Sequence, residues 1–440
     1  MDKNVRHRKA GVTPWAWVST LYFAEAMPYV AVMTLSVLMY KVMGISNGEI
    51  AFYTSWLYLP WVIKPLWSPF VDILRTKRWW IVTTEALIAV GLACVAFTLP
   101  GAWFFQLSLA FFWLTAFVSA THDIAADGFY MLALTEHQQA FYVGIRSTFY
   151  RIATITAQGG LVALSWVLGE HGASVAMSWA VVMGLISACF FIFSIYHYIV
   201  LPRPLADRPV RGVTWSNAGN EFLRTFATFF HKPQALVGIL FMLLYRLPEA
   251  QLMKLINPFL VDARDVGGLG LTTGEVGLVY GTVGVIGLTV GGIVGGIVTA
   301  RGGLKKWLWP MAWSISLTCV VFCYLAWAQP TSLITICICV GVEQLGYGFG
   351  FSAYMLYLIY YSEGELRTAH YAICTGFMAL GMMLPGMAAG WIQEQLGYEG
   401  FFWWVMICCV VTIAVTALIK VPDGFGKKHV KKHIKPFSCL

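Results

Sequence analysis

Glu25, Lys64, His122, Asp123, Asp127, Arg146, Arg151, Arg246, Glu249, Lys254, Glu343 and Gln344 all stand inside runs of apolar sequence. Two kinds of chemistry are open to such a set. A carboxyl in a dry cavity can bind and release a proton, or hold a sodium ion. A buried lysine or arginine can hold an anionic group, or neutralise a neighbouring acid. Spacing adds detail. Asp123 and Asp127 are four residues apart and share one face of a helix. Arg246 and Glu249 are three apart and can pair. Arg146 and Arg151 lie about 140° apart around a helix, so one of them faces a central cavity, and Arg151 is the deeper.

The elements that must position these groups are membrane helices. The chain has 440 residues, of which 59% are hydrophobic and 11% charged, and its mean hydropathy is +0.70. Soluble domains carry about 25% charged residues, so soluble globular, disordered, collagen-like and coiled-coil classes are excluded. Continuous apolar runs exclude a β-barrel, whose strands alternate. The basic N-terminus resembles a signal peptide only superficially, because its apolar run continues to about Met43 with no small-residue cleavage site. Nine of the ten cysteines lie in apolar runs without metal-ligand company, so neither a disulfide framework nor a zinc site is expected. The net charge of +8 points to membrane-flanking loops and not to nucleic acid.

A span needs about 20 apolar residues, and twelve runs qualify: 14–40, 51–71, 79–99, 103–133, 141–168, 175–200, 234–260, 274–299, 306–327, 331–361, 369–395 and 400–420. An even count puts both ends of the chain on one side. The loops on that side hold most of the 29 lysines and arginines, whereas the opposite loops hold only Lys41 and Arg264. The positive-inside rule therefore predicts cytoplasmic termini. Residues 201–233, with Pro202, Pro204 and Pro209, read as a cytoplasmic linker between an N-terminal half (1–200) and a C-terminal half (234–420). Residues 421–440 form a basic tail suited to lipid headgroups. The expected fold is all-α, with twelve transmembrane helices in two pseudo-symmetric halves, similar to the major facilitator superfamily. In that fold helices 1, 4, 7 and 10 line the central path, and the buried charges concentrate there. Such a path suits a solute transporter. Glu25, Asp123, Asp127, Glu249 and Glu343 are then the candidates for ion coupling. Buried ion pairs that merely hold helices together are the bland alternative for any single residue.

Other features are weaker. Span 8 carries Gly277, Gly281, Gly284, Gly287, Gly291 and Gly295, a small-residue stripe for close helix packing. Pro28 is expected to break span 1 near Glu25. Tyr22, Trp56, Tyr150, Tyr347, Tyr354 and Tyr357 could stack on sugar faces. Asp262 and Asp265 flank a glycine-rich turn and read as solvated. The segments Asp72-Ile-Leu-Arg75-Thr-Lys77-Arg78 and Ala300-Arg301-Gly-Gly-Leu-Lys305 resemble the superfamily's cytoplasmic GxLaDRxGRR loop, once per half. Both glycines of the motif are missing from the first copy, and its acid from the second. Their expected role is a charge latch to a neighbouring helix end. The antiporter-associated Gly-Pro motif is absent from span 5, where Gln158-Gly159-Gly160 stands, which leans toward symport or uniport.

Several segments resemble one branch of that superfamily. Leu59-Pro60 through Lys64-Pro65-Leu-Trp67-Ser-Pro69 to Asp72 is similar to the LP…K.LWAP..D segment of the AmpG-like permeases and their acetyl-CoA transporter relatives. Ala120-Thr121-His122-Asp123-Ile124-Ala-Ala-Asp127 is similar to their ATQDIA.D stretch, with His122 where the family has Gln. Arg146, Tyr150-Arg151 and Gly159-Gly160 match an R…YR…GG pattern, and Tyr371, Gly390 and Trp391 a QYAL…GW segment. The resemblance implies proton-driven import of GlcNAc-anhydroMurNAc or its peptides across a bacterial inner membrane, by a monomer with no cofactor beyond the ion gradient. It makes Lys64, His122, Tyr150, Arg151, Arg246, Gln344 and Tyr347 the candidate substrate contacts. Sodium coupling, another glycan-derived disaccharide, and an acetyl-CoA or organic anion remain open alternatives. The near balance of buried acids and bases disfavours a polyanion. A membrane enzyme would need a carboxylate or metal-binding loop that the sequence lacks, and a receptor would need a soluble domain.

Overall fold

The computed structural model describes residues 13–134, 136–205, 207–208, 224, 226–364, 367–423 and 425–426 as helices and short connections. The N-terminal basic segment, most of the 201–233 linker, the Lys-rich tail and the Asp72 side chain lie outside the described residues. The passes are α1 (Pro14–Val42), α3 (Lys77–Thr98), α4 (Phe104–Ala133), α5 (Ile145–Glu170), α6 (Val175–Val200), α7 (Ala235–Val261), α8 (Thr273–Gly302), α9 (Leu304–Ala328) and α10 (Leu333–Ser362). The second pass, α2, is two helices, Asn47–Trp56 and Leu59–Leu74. The helix Arg367–Leu418 is too long for one crossing and reverses at Gly397, whose φ of 67° and ψ of 177° are non-helical. Its two arms are α11 and α12, which completes twelve passes.

Local chemistry sets the helix ends. Ser46, Thr76, Ser174, Thr272 and Ser332 each accept a hydrogen bond from the backbone three residues on and cap α2, α3, α6, α8 and α10. Thr272 and Glu275 form a reciprocal capping box. Pro60 explains the break in α2, since it sits in the first turn of the second piece and donates no backbone hydrogen bond. Contrary to expectation, α1 runs through Pro28 and only widens into a π-helical turn at Ala31–Leu35. The break beside a charge falls instead in α7, between Leu244 and Leu247, where Pro248 restarts the helix.

Three apolar cores show how the halves meet. One core belongs to the first half alone (Trp17, Val71, Phe129, Tyr142). A second belongs to the last six passes (Phe229, Phe241, Tyr357, Val415). The largest combines both, with Val30, Leu38 and Ile50 against Leu255, Phe259 and Tyr398. These shared residues lie toward the face away from the chain termini. The polar ties between halves gather there too: Lys41 to Asp262 at 2.7 Å, Asn47 to Gln393 at 2.7 Å and to Tyr398 at 2.9 Å, and Gly48 N–H to Glu394 at 2.7 Å. Asp262 also accepts from Tyr398 at 2.5 Å, so it is a gate residue and not a solvated turn acid. These ties close the molecule at this far face.

Candidate functional site

The first half places its charges on one wall. Lys64 of α2 forms an ion pair with Asp123 of α4. One turn on, Asp127 pairs with Arg146 of α5 at 2.8 Å and accepts from the Tyr22 hydroxyl at 3.2 Å. The Arg146 guanidinium lies 4.3 Å from the Tyr22 ring centroid, a cation–π contact that fixes its height. Glu25 of α1 is 8% exposed, lies beside Asp123 and Asp127, and its Oε2 has no hydrogen-bond partner. Tyr150 faces Glu25 and Tyr29. The Asp127–Arg146 pair is about a third exposed.

The second half supplies a drier wall. Arg246, at the break in α7, grips Glu249 through two bonds of 2.9 and 3.0 Å and donates to the Tyr347 hydroxyl at 2.7 Å. Two parallel bonds from a planar guanidinium are the strong form of this pair. Gln344 donates to Glu343 at 2.8 Å on α10. Lys254 reaches across the halves to the Thr54 hydroxyl at 2.9 Å. Arg151 of α5 also points across, with Nη2 3.7 Å from where Gly292 would carry a Cβ, and Tyr347 beside it. Among the described residues no carboxylate pairs with Arg151, which leaves it the cation most open to a ligand.

The structure redistributes several expected site residues. His122 is turned away from the cavity. Residues adjacent on a helix point about 100° apart, so with Asp123 on the wall His122 faces backward. It lies 3.4 Å from Glu85 of α3 and is 1% exposed. Tyr354 and Tyr357 are also withdrawn, packed against Phe241 in the second-half core. Lys64 neutralises Asp123 and is not free for an anion. Of the latch residues, Arg78 caps the end of α6 through the carbonyls of Tyr198 and Leu201 (3.2 Å), while Asp207 accepts from the backbone of Lys77 and Arg78 at the start of α3. The Lys77 stem lies against Gly128, next to Asp127. Arg75 lies over Trp79. In the second half Lys305 pairs with Asp423 at 2.8 Å, and Arg301 is exposed. Sequence reasoning missed the Lys254–Thr54 contact and the far-face ties, since nothing in a single chain marks residues hundreds of positions apart as neighbours.

Comparisons with known proteins follow the geometry. No family model matches the chain. A transporter named AmpG 4 of Rickettsia conorii is 25% identical over 409 residues, 90% of this chain and 94% of that one. The anhydromuropeptide permease of Escherichia coli K12 is 25% identical over 363 residues, 78% of this chain and 67% of that one. The chain is therefore similar to transporters that carry the AmpG and anhydromuropeptide permease names. The chain also shares its fold with solved transporters of the major facilitator type. A D-xylose–proton symporter superposes with a TM-score of 0.72 at 13% identity, over 96% of this chain and 100% of that one. A bacterial homologue of the human lysosomal transporter Spinster, inward-facing and unoccupied, gives 0.69 at 14% identity, over 93% and 96%. The chain is thus a multi-pass membrane protein with the fold of these solved transporters.

Proposed function

We propose that the chain imports an amino-sugar disaccharide or muropeptide of the GlcNAc-anhydroMurNAc type by proton symport across a bacterial inner membrane, with both termini in the cytoplasm. The observation that carries the coupling is a charge count at one wall. Glu25, Asp123 and Asp127 are three carboxyls, and Lys64 and Arg146 balance two of them. An unbalanced buried charge is costly. The third carboxyl, Glu25, therefore calls for a proton whenever the site is dry. Asp123 and Asp127 share that proton's field, while Glu249 and Glu343 form a secondary acid pair on the opposite wall. Lysines and arginines on the termini side support the orientation, and in it the cavity faces inward.

The substrate's anionic group falls to Arg151, with Tyr150, Tyr347, Gln344 and the paired Arg246 and Lys64 shaping the rest of the pocket. A lactyl or peptide carboxylate needs one free cation at mid-depth, and Arg151 is placed to provide it. The names of the relatives support the sugar class. A polyanion such as acetyl-CoA would need several free cations, which this wall does not offer. The test is uptake into proteoliposomes under an inward proton gradient, with and without sodium. The panel is GlcNAc-anhydroMurNAc, its tripeptide form, neutral amino-sugar disaccharides and acetyl-CoA. Proton-driven uptake of the anhydro-sugars is expected. Uptake of acetyl-CoA alone, or uptake that follows sodium and ignores the proton gradient, contradicts the reading.

A further inference from the structure

Behind the α4 carboxylates lies a second group of titratable side chains that the transport site does not use. Glu85 of α3 is fully buried, as is His197 of α6, and His122 of α4 is 1% exposed. His197 Nδ1 stands 2.7 Å from Glu85 Oε1, and His122 Nε2 stands 3.4 Å from the same oxygen. On its other side His197 Nε2 meets the Thr20 hydroxyl of α1 at 2.9 Å. Glu85 Oε2 is left without a hydrogen-bond partner. The remaining walls are apolar or aromatic: Phe193 stacks on the His197 ring at 6.0 Å, and the Tyr196 hydroxyl is spent on the Ala16 carbonyl. The other charged group facing this cluster is Asp123, which follows His122 in α4 and is itself paired with Lys64.

We infer that Glu85, His122 and His197 form a second proton-binding site, which holds one exchangeable proton shared between the two imidazoles. Two features of the geometry argue for this. The first is charge. An ionised Glu85 with two neutral histidines is an isolated buried anion, a costly arrangement, and one added proton makes the cluster neutral. The second is that both ring nitrogens of His197 keep a hydrogen-bond partner in either state, while His122 Nε2 and Glu85 Oε2, which have none, are free to take the proton. With His197 neutral, its Nδ1–H donates to Glu85 and the Thr20 hydroxyl donates to Nε2. With His197 protonated, Nε2–H donates to Thr20 Oγ1, and the Thr20 hydroxyl turns to the carbonyl of Trp17 at 3.3 Å or Ala16 at 3.4 Å. Thr20 is thus a rotor that serves either protonation state. When the proton moves to His122, through Glu85, a positive charge stands one residue from Asp123. That charge favours the ionised form of Asp123 and so the release of a proton carried at the cavity wall. This last consequence rests on the proton-symport reading, whereas the site itself does not.

The test keeps the two apart. Full-length protein with 15N-labelled histidine is followed by NMR from pH 5 to 9, with His122 and His197 assigned by the loss of their signals in H122Q and H197Q. The expected result is one proton shared between the two buried rings, lost from both in E85Q. Two imidazoles that remain neutral throughout, or spectra that E85Q leaves unchanged, would overturn the site. In proteoliposomes H122Q, which keeps size and a donor, is expected to move the pH midpoint of uptake by about one unit with folding intact. If uptake proves independent of the proton gradient while the NMR shows the shared proton, the symport reading fails and the site stands. A pH profile identical in wild type, H122Q and H197Q would overturn the link from His122 to Asp123.

Discussion

Asp123 pairs with Lys64 and so joins α2 to α4 on the cavity wall. Asp123→Asn is expected to abolish uphill uptake while expression and the elution profile persist, because the amide keeps the shape and removes the charge. Normal concentrative uptake by that variant would remove Asp123 from the coupling set. A second prediction concerns Arg246, whose loss leaves Glu249 buried and alone. Arg246→Met should lower stability by about 3–5 kcal/mol, read as thermal unfolding in detergent, and Glu249→Gln by less, since a neutral amide can still accept a bond from Arg246. At this scale much was legible in the sequence. The i, i+4 spacing gave the shared face of Asp123 and Asp127, and the i, i+3 spacing gave the Arg246–Glu249 pair. His122 was misplaced for an equally local reason. His122 turns about 100° from Asp123 and lies against Glu85 of α3, a neighbour that the family resemblance does not reveal.

The small residues decide how closely helices approach. A Cβ on Gly291 would sit 2.1 Å from the Leu345 carbonyl, and one on Gly348 would sit 2.2 Å from that of Leu288. The glycine stripe of α8 therefore packs backbone on backbone against α10, as its spacing indicated. Gly291→Val should separate these helices and lower the yield of folded protein, whereas Gly296→Ala, which meets nothing within 4 Å, should be neutral. Comparable monodispersity of both variants would contradict the packing account. The breaks in helices were less legible. Proline sites are visible in sequence, but whether a helix kinks, widens or restarts depends on which neighbours accept the freed carbonyls. Pro28 lies inside a continuous helix, whereas Pro248 opens a new one.

For the whole molecule, the twelve-pass plan followed from hydropathy, while the conformation did not. Length and charge bias say nothing about which ends of two halves touch. The seal depends on pairs such as Asn47–Gln393 and Lys41–Asp262, which are more than 200 residues apart in the chain. Breaking it should favour the alternative, outward-open state. In the double variant D262N/E394Q, a reporter Thr34→Cys placed beneath the seal should react several-fold faster with an impermeant maleimide added from the far face. An unchanged rate would mean that these polar ties do not hold the gate. The account's central claim is that substrate and proton move together through the Glu25–Asp123–Asp127 wall. The most direct measurement is proton movement driven by substrate alone, in proteoliposomes with no imposed gradient and a pH dye in the lumen. Addition of GlcNAc-anhydroMurNAc is expected to acidify the lumen with wild-type protein and to leave it unchanged with Glu25→Gln. Entry of the sugar with no change in luminal pH would contradict the account.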